Sequence, residues 1–125
     1  GVDLPEFAEI GGDAVKGTVC TTHFDAAAAM SDKTADFVAA YTEEYGVAPS
    51  AYAALAYDTY LIAYEALKQA DSYDGPTLKA ILDGIEVDGV TGTISFDENG
   101  DAIKTYAVIK TIKDGDIVYY STYNG

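Results

Sequence analysis

The stretch Asp88-Gly-Val-Thr-Gly-Thr-Ile-Ser-Phe-Asp-Glu-Asn-Gly-Asp101 marks where the hydrophobic period of the chain changes from helical to alternating. From residue 91 onward the pattern predicts strands over residues 91–96, 103–112 and 117–123, joined by Asp97-Glu98-Asn99-Gly100-Asp101 and Lys113-Asp114-Gly115-Asp116. The Asp114-Gly115 pair is a strong hairpin signal, because both residues tolerate the positive φ that a tight two-residue turn requires. Before residue 88 the spacing is helical. Gly75-Pro76 opens a helix through Leu78, Ile81 and Leu82 that Gly84 closes. Ser50 caps a longer run to residue 70, so rich in Ala, Tyr, Leu and Ile that it predicts a helix buried on most sides. Its polar residues Asp58, Glu65 and Gln69 project within about 40° of one another on a 3.6-residue helix, which predicts a single solvated stripe. Ser31 caps a further amphipathic helix in which Phe37, Tyr41 and Tyr45 recur at helical spacing until Gly46. Upstream, residues 16–22 are rich in β-branched side chains and predict a strand, and Pro5 opens a short helix that Gly11-Gly12 stops. The order is a strand, three helices and a β-meander: a mixed α/β fold.

Composition narrows the function. The chain has 125 residues, a formal net charge of −14 and seven cationic side chains, all lysine. That balance cannot neutralise a row of phosphates, so nucleic acid is excluded as a partner class. Cys20 and His23 are the only residues of their kinds, which removes paired-cysteine and histidine-based metal motifs. Residues 1–10 carry acids and no basic residue, so the start does not read as a targeting signal, and the chain is expected to begin in mid-protein.

Candidate chemistry is sparse. Cys20 and His23 are three residues apart, an odd offset on a strand that sends the side chains to opposite faces, so no nucleophile and base pair forms. Asp97, Asn99 and Asp101 alternate as the first ligands of a calcium loop do, but Ala102 and Val108 stand where that loop needs glycine and glutamate. The segment reads as a turn. No catalytic residue, metal site or cofactor is expected. Eleven tyrosines remain as a signal, six of them (Tyr41, Tyr45, Tyr52, Tyr57, Tyr60 and Tyr64) in the two long helical stretches, and most are expected to pack in the core. Tyr52 is the exception, because it sits in the first turn after Ser50, where backbone N–H groups and the positive dipole end suit a small anion such as an amino-acid carboxylate.

Three ordered blocks carry a resemblance. Residues 37–46 (Phe-Val-Ala-Ala-Tyr-Thr-Glu-Glu-Tyr-Gly) with residues 49–58 (Pro-Ser-Ala-Tyr-Ala-Ala-Leu-Ala-Tyr-Asp) resemble solute-binding proteins of branched-chain amino acid ABC transporters. Residues 88–101 form a second block typical of that family, and Gly12-Asp13-Ala14 ahead of Gly17 a third. The resemblance spans the chain but only the C-terminal portion of the family. It implies the periplasmic-binding-protein type I fold, two lobes with a ligand cleft between them. Residues 1–25 would end the second lobe, residues 31–90 supply helices of the first, and residues 91–125 make a crossover and C-terminal hairpin.

By position, Tyr52 matches the aromatic residue lining the amino-acid pocket, and Gly1-Val2-Asp3 matches a loop that reaches the cleft. Val2 stands where a tryptophan is frequent, and Asp3 lines the same loop. The implied function is extracytoplasmic capture of an amino acid and its delivery to a membrane permease, with no bond made or broken. The alternative with the same fold is the ligand-sensing ectodomain of a membrane receptor. The missing N-terminal half would hold the residues that grip the ligand carboxylate, so this portion alone is expected to bind ligand weakly or not at all. Helices deprived of their sheet are also expected to drive self-association or a rearranged packing.

Overall fold

A computed structural model describes residues 2–124. Two antiparallel three-stranded sheets divide the molecule into a strand layer and a helical layer. The strand layer orders β1 (Val19–Thr22), β5 (Tyr106–Lys113) and β6 (Asp116–Asn124), with α1 (Pro5–Gly11) against β6. Lys113 pairs with Asp116 across a two-residue turn in which Asp114 (φ 55°) and Gly115 (φ 92°) are both left-handed, the conformation that the Asp-Gly pair predicts. The helical layer holds α2 (Thr34–Tyr45), α3 (Ala51–Gln69) and α4 (Gly75–Leu82) beside a small sheet of β2 (Val87–Gly89), β3 (Gly92–Phe96) and β4 (Ala102–Ile103).

Local signals place the helices where the sequence predicts them. Ser50 caps α3 by accepting from the Ala53 amide at 3.2 Å, Asp74 caps α4 by accepting from Thr77 at 3.0 Å, and Gly46 ends α2 in the left-handed region. Phe24, on the chain leaving β1, is buried with Ala54 and Val90 in one core cluster of the helical layer. Ala66, Ile85 and Val87 form a second cluster beneath α4.

Several expectations are corrected. Strand structure begins at Val19 rather than at residue 16, a short strand precedes residue 91, and the segment predicted as one strand over 103–112 is divided between the two sheets. The chain crosses from one layer to the other at Lys104 and Thr105, where β pairing breaks. Helix α3 is not buried on most sides: only Ala54, Asp58 and Ala66 are buried along it. Tyr45, Tyr57, Tyr60 and Tyr64 are exposed rather than core, because the packing around α2 and α3 covers only part of each helix; Tyr52, the expected exception, is exposed as well. One apolar face, including Leu55, Ile62, Ala63, Leu78 and Phe96, borders an open groove of about 590 Å³.

Asp58 is the largest correction. It is 1% exposed, not part of a solvated stripe. The β2–β3 turn docks on α3 at this point, and its backbone N–H groups need an acceptor. Asp58 Oδ1 accepts from the Val90 amide at 2.6 Å, and Oδ2 accepts from the Thr91 amide at 2.9 Å and the Thr91 hydroxyl at 2.6 Å. Lys104 Nζ in turn donates to Thr91 Oγ1 at 3.0 Å and to the Thr91 carbonyl at 3.3 Å. Burial pushes the Lys104 ammonium below its ordinary pKa, and the Asp58 charge pulls it back. This chain of contacts pins the hairpin to the helix and the crossover to both.

Candidate functional site

Where β1 ends, the strand layer faces the first turn of α3 across a cleft of about 230 Å³. The strand side contributes Asp3, Thr21, Thr22, His23 and Ala107, the helix side contributes Ala51, Tyr52 and Leu55, and Tyr106 lies at the crossover. Two residues singled out from the sequence, Asp3 and Tyr52, therefore meet in one cavity although 49 positions apart in the chain. Val2 does not line it: the side chain is 46% exposed, and its carbonyl lies 3.9 Å from Cys20 Sγ. Gly1 lies outside the described residues.

Each wall has a local cause. Asp3 is positioned by the buried Thr22, whose hydroxyl donates to Asp3 Oδ2 at 2.7 Å. Burial raises the Asp3 carboxyl pKa, but the Thr22 hydroxyl and the Asp3 backbone amide favour the charged form, and the net direction is down. The site thus keeps an anion on its strand wall at neutral pH. On the other wall, α3 brings its N-terminal dipole end and the Tyr52 ring, whose side chain is 58% exposed. A carboxylate facing a positive helix end suits a zwitterion, ammonium toward Asp3 and carboxylate toward α3.

The sign of the Asp3 shift makes a prediction. A carboxyl whose folded pKa is depressed contributes stability that is present above its ordinary pKa and is lost as pH falls through the lowered value. Thr22→Val removes the hydroxyl donor, so the fall in unfolding free energy below about pH 4 is expected to become shallower than in the unsubstituted chain. Urea unfolding at pH 7 and pH 3 checks it, and an unchanged difference between the two pH values would contradict it.

Sequence reasoning missed Thr22, His23 and Tyr106 as cavity residues. The signal available for Thr22 was its place at the end of a predicted strand; Tyr106 carried none, because the strand break at Lys104–Thr105 decides where its ring goes. Burial pushes the Tyr106 hydroxyl pKa up, with the Thr91 side chain acting against it and the Asp58 charge adding to it. Cys20 gains nothing that would activate it: burial and then the Asp3 carboxylate push its thiol pKa up, the reverse of what a nucleophile requires. Asp97 Oδ1 accepts from the Asn99 and Asp101 amides, both at 2.9 Å, so that carboxylate is used in closing a turn.

The profile of the family described as "Periplasmic binding protein" matches residues 1–116. No match was found among curated proteins. Among solved structures, a leucine-binding protein, LivK, from Thermotoga maritima MSB8 is 39% identical over 99% of this chain and 35% of its own, with a TM-score of 0.87. An ABC transporter substrate-binding protein from Desulfitobacterium hafniense in complex with Leu is 33% identical over 85% of this chain and 32% of its own, with a TM-score of 0.74. A solute-binding protein of an ABC transporter from Rhodopseudomonas palustris BisB5, in complex with 3,4-dihydroxybenzoic acid, is 30% identical over 90% of this chain and 32% of its own, at a TM-score of 0.72. The chain spans about a third of the length of these structures. The strand layer, the helical layer and the cleft between them are thus a portion of the type I fold, and the chain belongs to the periplasmic binding protein family.

Proposed function

We propose that this chain is part of an extracytoplasmic solute-binding component of an ABC transporter, one that captures an amino acid of the branched-chain type and presents it to a membrane permease. The observation that carries the reading is the cleft in which Asp3, Thr22 and Tyr52 converge from two layers. Its volume, about 230 Å³, lies below the roughly 300–1,000 Å³ of drug-sized pockets and suits a small zwitterion. The solved relatives at 39% and 33% identity, one a leucine-binding protein and the other in complex with Leu, support that ligand class. In this reading residues 1–25 belong to one lobe, residues 31–90 supply helices of the other, and residues 91–125 return through the crossover to the first. Asp3 holds the ligand ammonium and Tyr52 covers the side chain. No bond is made or broken; binding is converted into closure of the two lobes.

The test is calorimetric titration of the protein as its source cell makes it, with L-leucine, L-isoleucine, L-valine and 3,4-dihydroxybenzoate. Binding of the branched-chain amino acids is expected, and Tyr52→Ala is expected to weaken it at least about tenfold by removing the aromatic wall. Binding of the benzoate alone, or an unchanged affinity in Tyr52→Ala, would overturn the reading.

A further inference from the structure

The lining of the cleft falls into a polar set, Asp3, Thr21, Thr22 and His23, and an apolar one, Leu55, Tyr106 and Ala107. Leu55 lies about 4.5 Å further along the α3 axis than Tyr52, away from the helix N-terminus. A ligand with its carboxylate at that N-terminus and its ammonium at Asp3 therefore leaves its side chain to face the apolar set. Tyr106 brings the largest side chain of that set, and its backbone is fixed by pairing with Asn124 of β6. The half-buried ring is backed by the helical layer. A Cβ built at Gly92 would stand 3.1 Å from Tyr106 Cε1 and 3.6 Å from the hydroxyl oxygen, so the edge of the ring rests on the Gly92 backbone. Lys104 Nζ lies 5.7 Å from the ring centroid and is itself bonded to Thr91. Retreat of the ring from the cleft is thus blocked by the hairpin turn that Asp58 pins. Leu55 and Lys104 also border the neighbouring apolar groove, so the ring stands where the cleft would otherwise run on toward that groove.

We propose that Tyr106 is a specificity-determining residue: its ring closes the apolar end of the cleft and sets the length of ligand side chain accepted there, admitting a branched aliphatic chain and stopping an aromatic one. The inference rests on the ligand site proposed above and supplies its discrimination by size. Tyr52 covers the side chain from the helix wall, and Tyr106 meets its far end. The position suits a wall that must serve in open and closed forms alike. Tyr106 directly follows the Lys104–Thr105 crossover, and residues beside a hinge are displaced least when two lobes rotate about it. In an apolar pocket a single misfitting group is worth about 10- to 200-fold in discrimination, which a rigidly backed ring can supply by exclusion alone.

The test is the ratio of L-leucine to L-phenylalanine affinity, titrated on the protein as its source cell makes it. The unsubstituted protein is expected to favour leucine at least about tenfold. In Tyr106→Ala the space of the ring is vacated, and the ratio is expected to fall at least about tenfold or to reverse. Tyr106→Phe keeps the ring and is expected to retain the discrimination, whatever it does to either affinity. A merely structural role for Tyr106 would weaken both ligands alike and leave the ratio unchanged. That result in Tyr106→Ala, or loss of discrimination in Tyr106→Phe, would overturn the proposal. Nuclear Overhauser contacts between the Tyr106 ring and the methyl groups of bound leucine need no variant; they are expected in the unsubstituted protein, and their absence would overturn the proposal even if Tyr106→Ala fails to fold. An unsubstituted protein that binds no branched-chain amino acid would defeat the ligand reading and this inference with it, whereas leucine binding without ring contacts would defeat this inference alone.

Discussion

Asp58→Ala is expected to lower the unfolding free energy by about 3–5 kcal/mol, the cost of stripping a buried carboxylate from donors that have no other acceptor. Three donors are orphaned at once: the Val90 amide, the Thr91 amide and the Thr91 hydroxyl. All belong to the turn that joins β2 to β3, and Thr91 is 0% exposed, so water cannot replace the lost acceptor without opening the turn. The damage should also reach Lys104, whose contact with Thr91 fixes the crossover. Asp58→Asn keeps the volume but turns an amide NH2 toward one group of donors, and an intermediate loss is expected. Urea unfolding with a shared m-value reads both variants. A loss below about 1 kcal/mol for Asp58→Ala would show that the hairpin does not depend on this carboxylate.

Gly89→Ala is expected to cost about 2–3 kcal/mol for the complementary reason, overpacking at a fixed approach of backbone to side chain. A Cβ at this position would meet Asp58 Oδ1 and would stand 2.7 Å from Oδ2. Retreat of the strand is blocked from the other side, since the Gly89 carbonyl accepts from Ser31 Oγ at 2.8 Å and the Asp88 carbonyl from Lys33 Nζ at 2.6 Å. Glycine is needed here for space and not for a left-handed φ. The consequence is strong non-additivity: with Asp58 already truncated to alanine the clash partner is gone, and Gly89→Ala should then cost little. A double-mutant cycle is expected to return a coupling of about 1–2 kcal/mol. Additive losses would mean that the two residues act separately.

The same pair shows what the sequence could and could not convey. The caps at Ser50 and Asp74, the left-handed stop at Gly46 and the Asp114-Gly115 turn are decided within a few residues, and each is where local chemistry puts it. Asp58 is decided by a turn 32 positions away, and its place on the helical wheel beside Glu65 gave the opposite answer. The composition of α3 reads as a helix covered on most sides. The described residues cover part of it, so the tyrosines that composition assigns to a core stand exposed and the groove by Ile62 and Leu78 stays open. Of the cleft, Tyr52 was legible from its position after a cap and from resemblance, and Asp3 from resemblance. Thr22 and Tyr106 required the register of β1 on β5 and the break at Lys104–Thr105, both products of long-range pairing.

The central claim is that the ligand occupies the cleft between the end of β1 and the start of α3. The most direct measurement is a crystal structure, grown with L-leucine, of the protein as its source cell makes it. The account predicts leucine bounded by Asp3, Thr22 and Tyr52, with its ammonium toward the Asp3 carboxylate. Leucine bound elsewhere, or an occupied cleft in which Asp3 and Tyr52 do not touch the ligand, would contradict it.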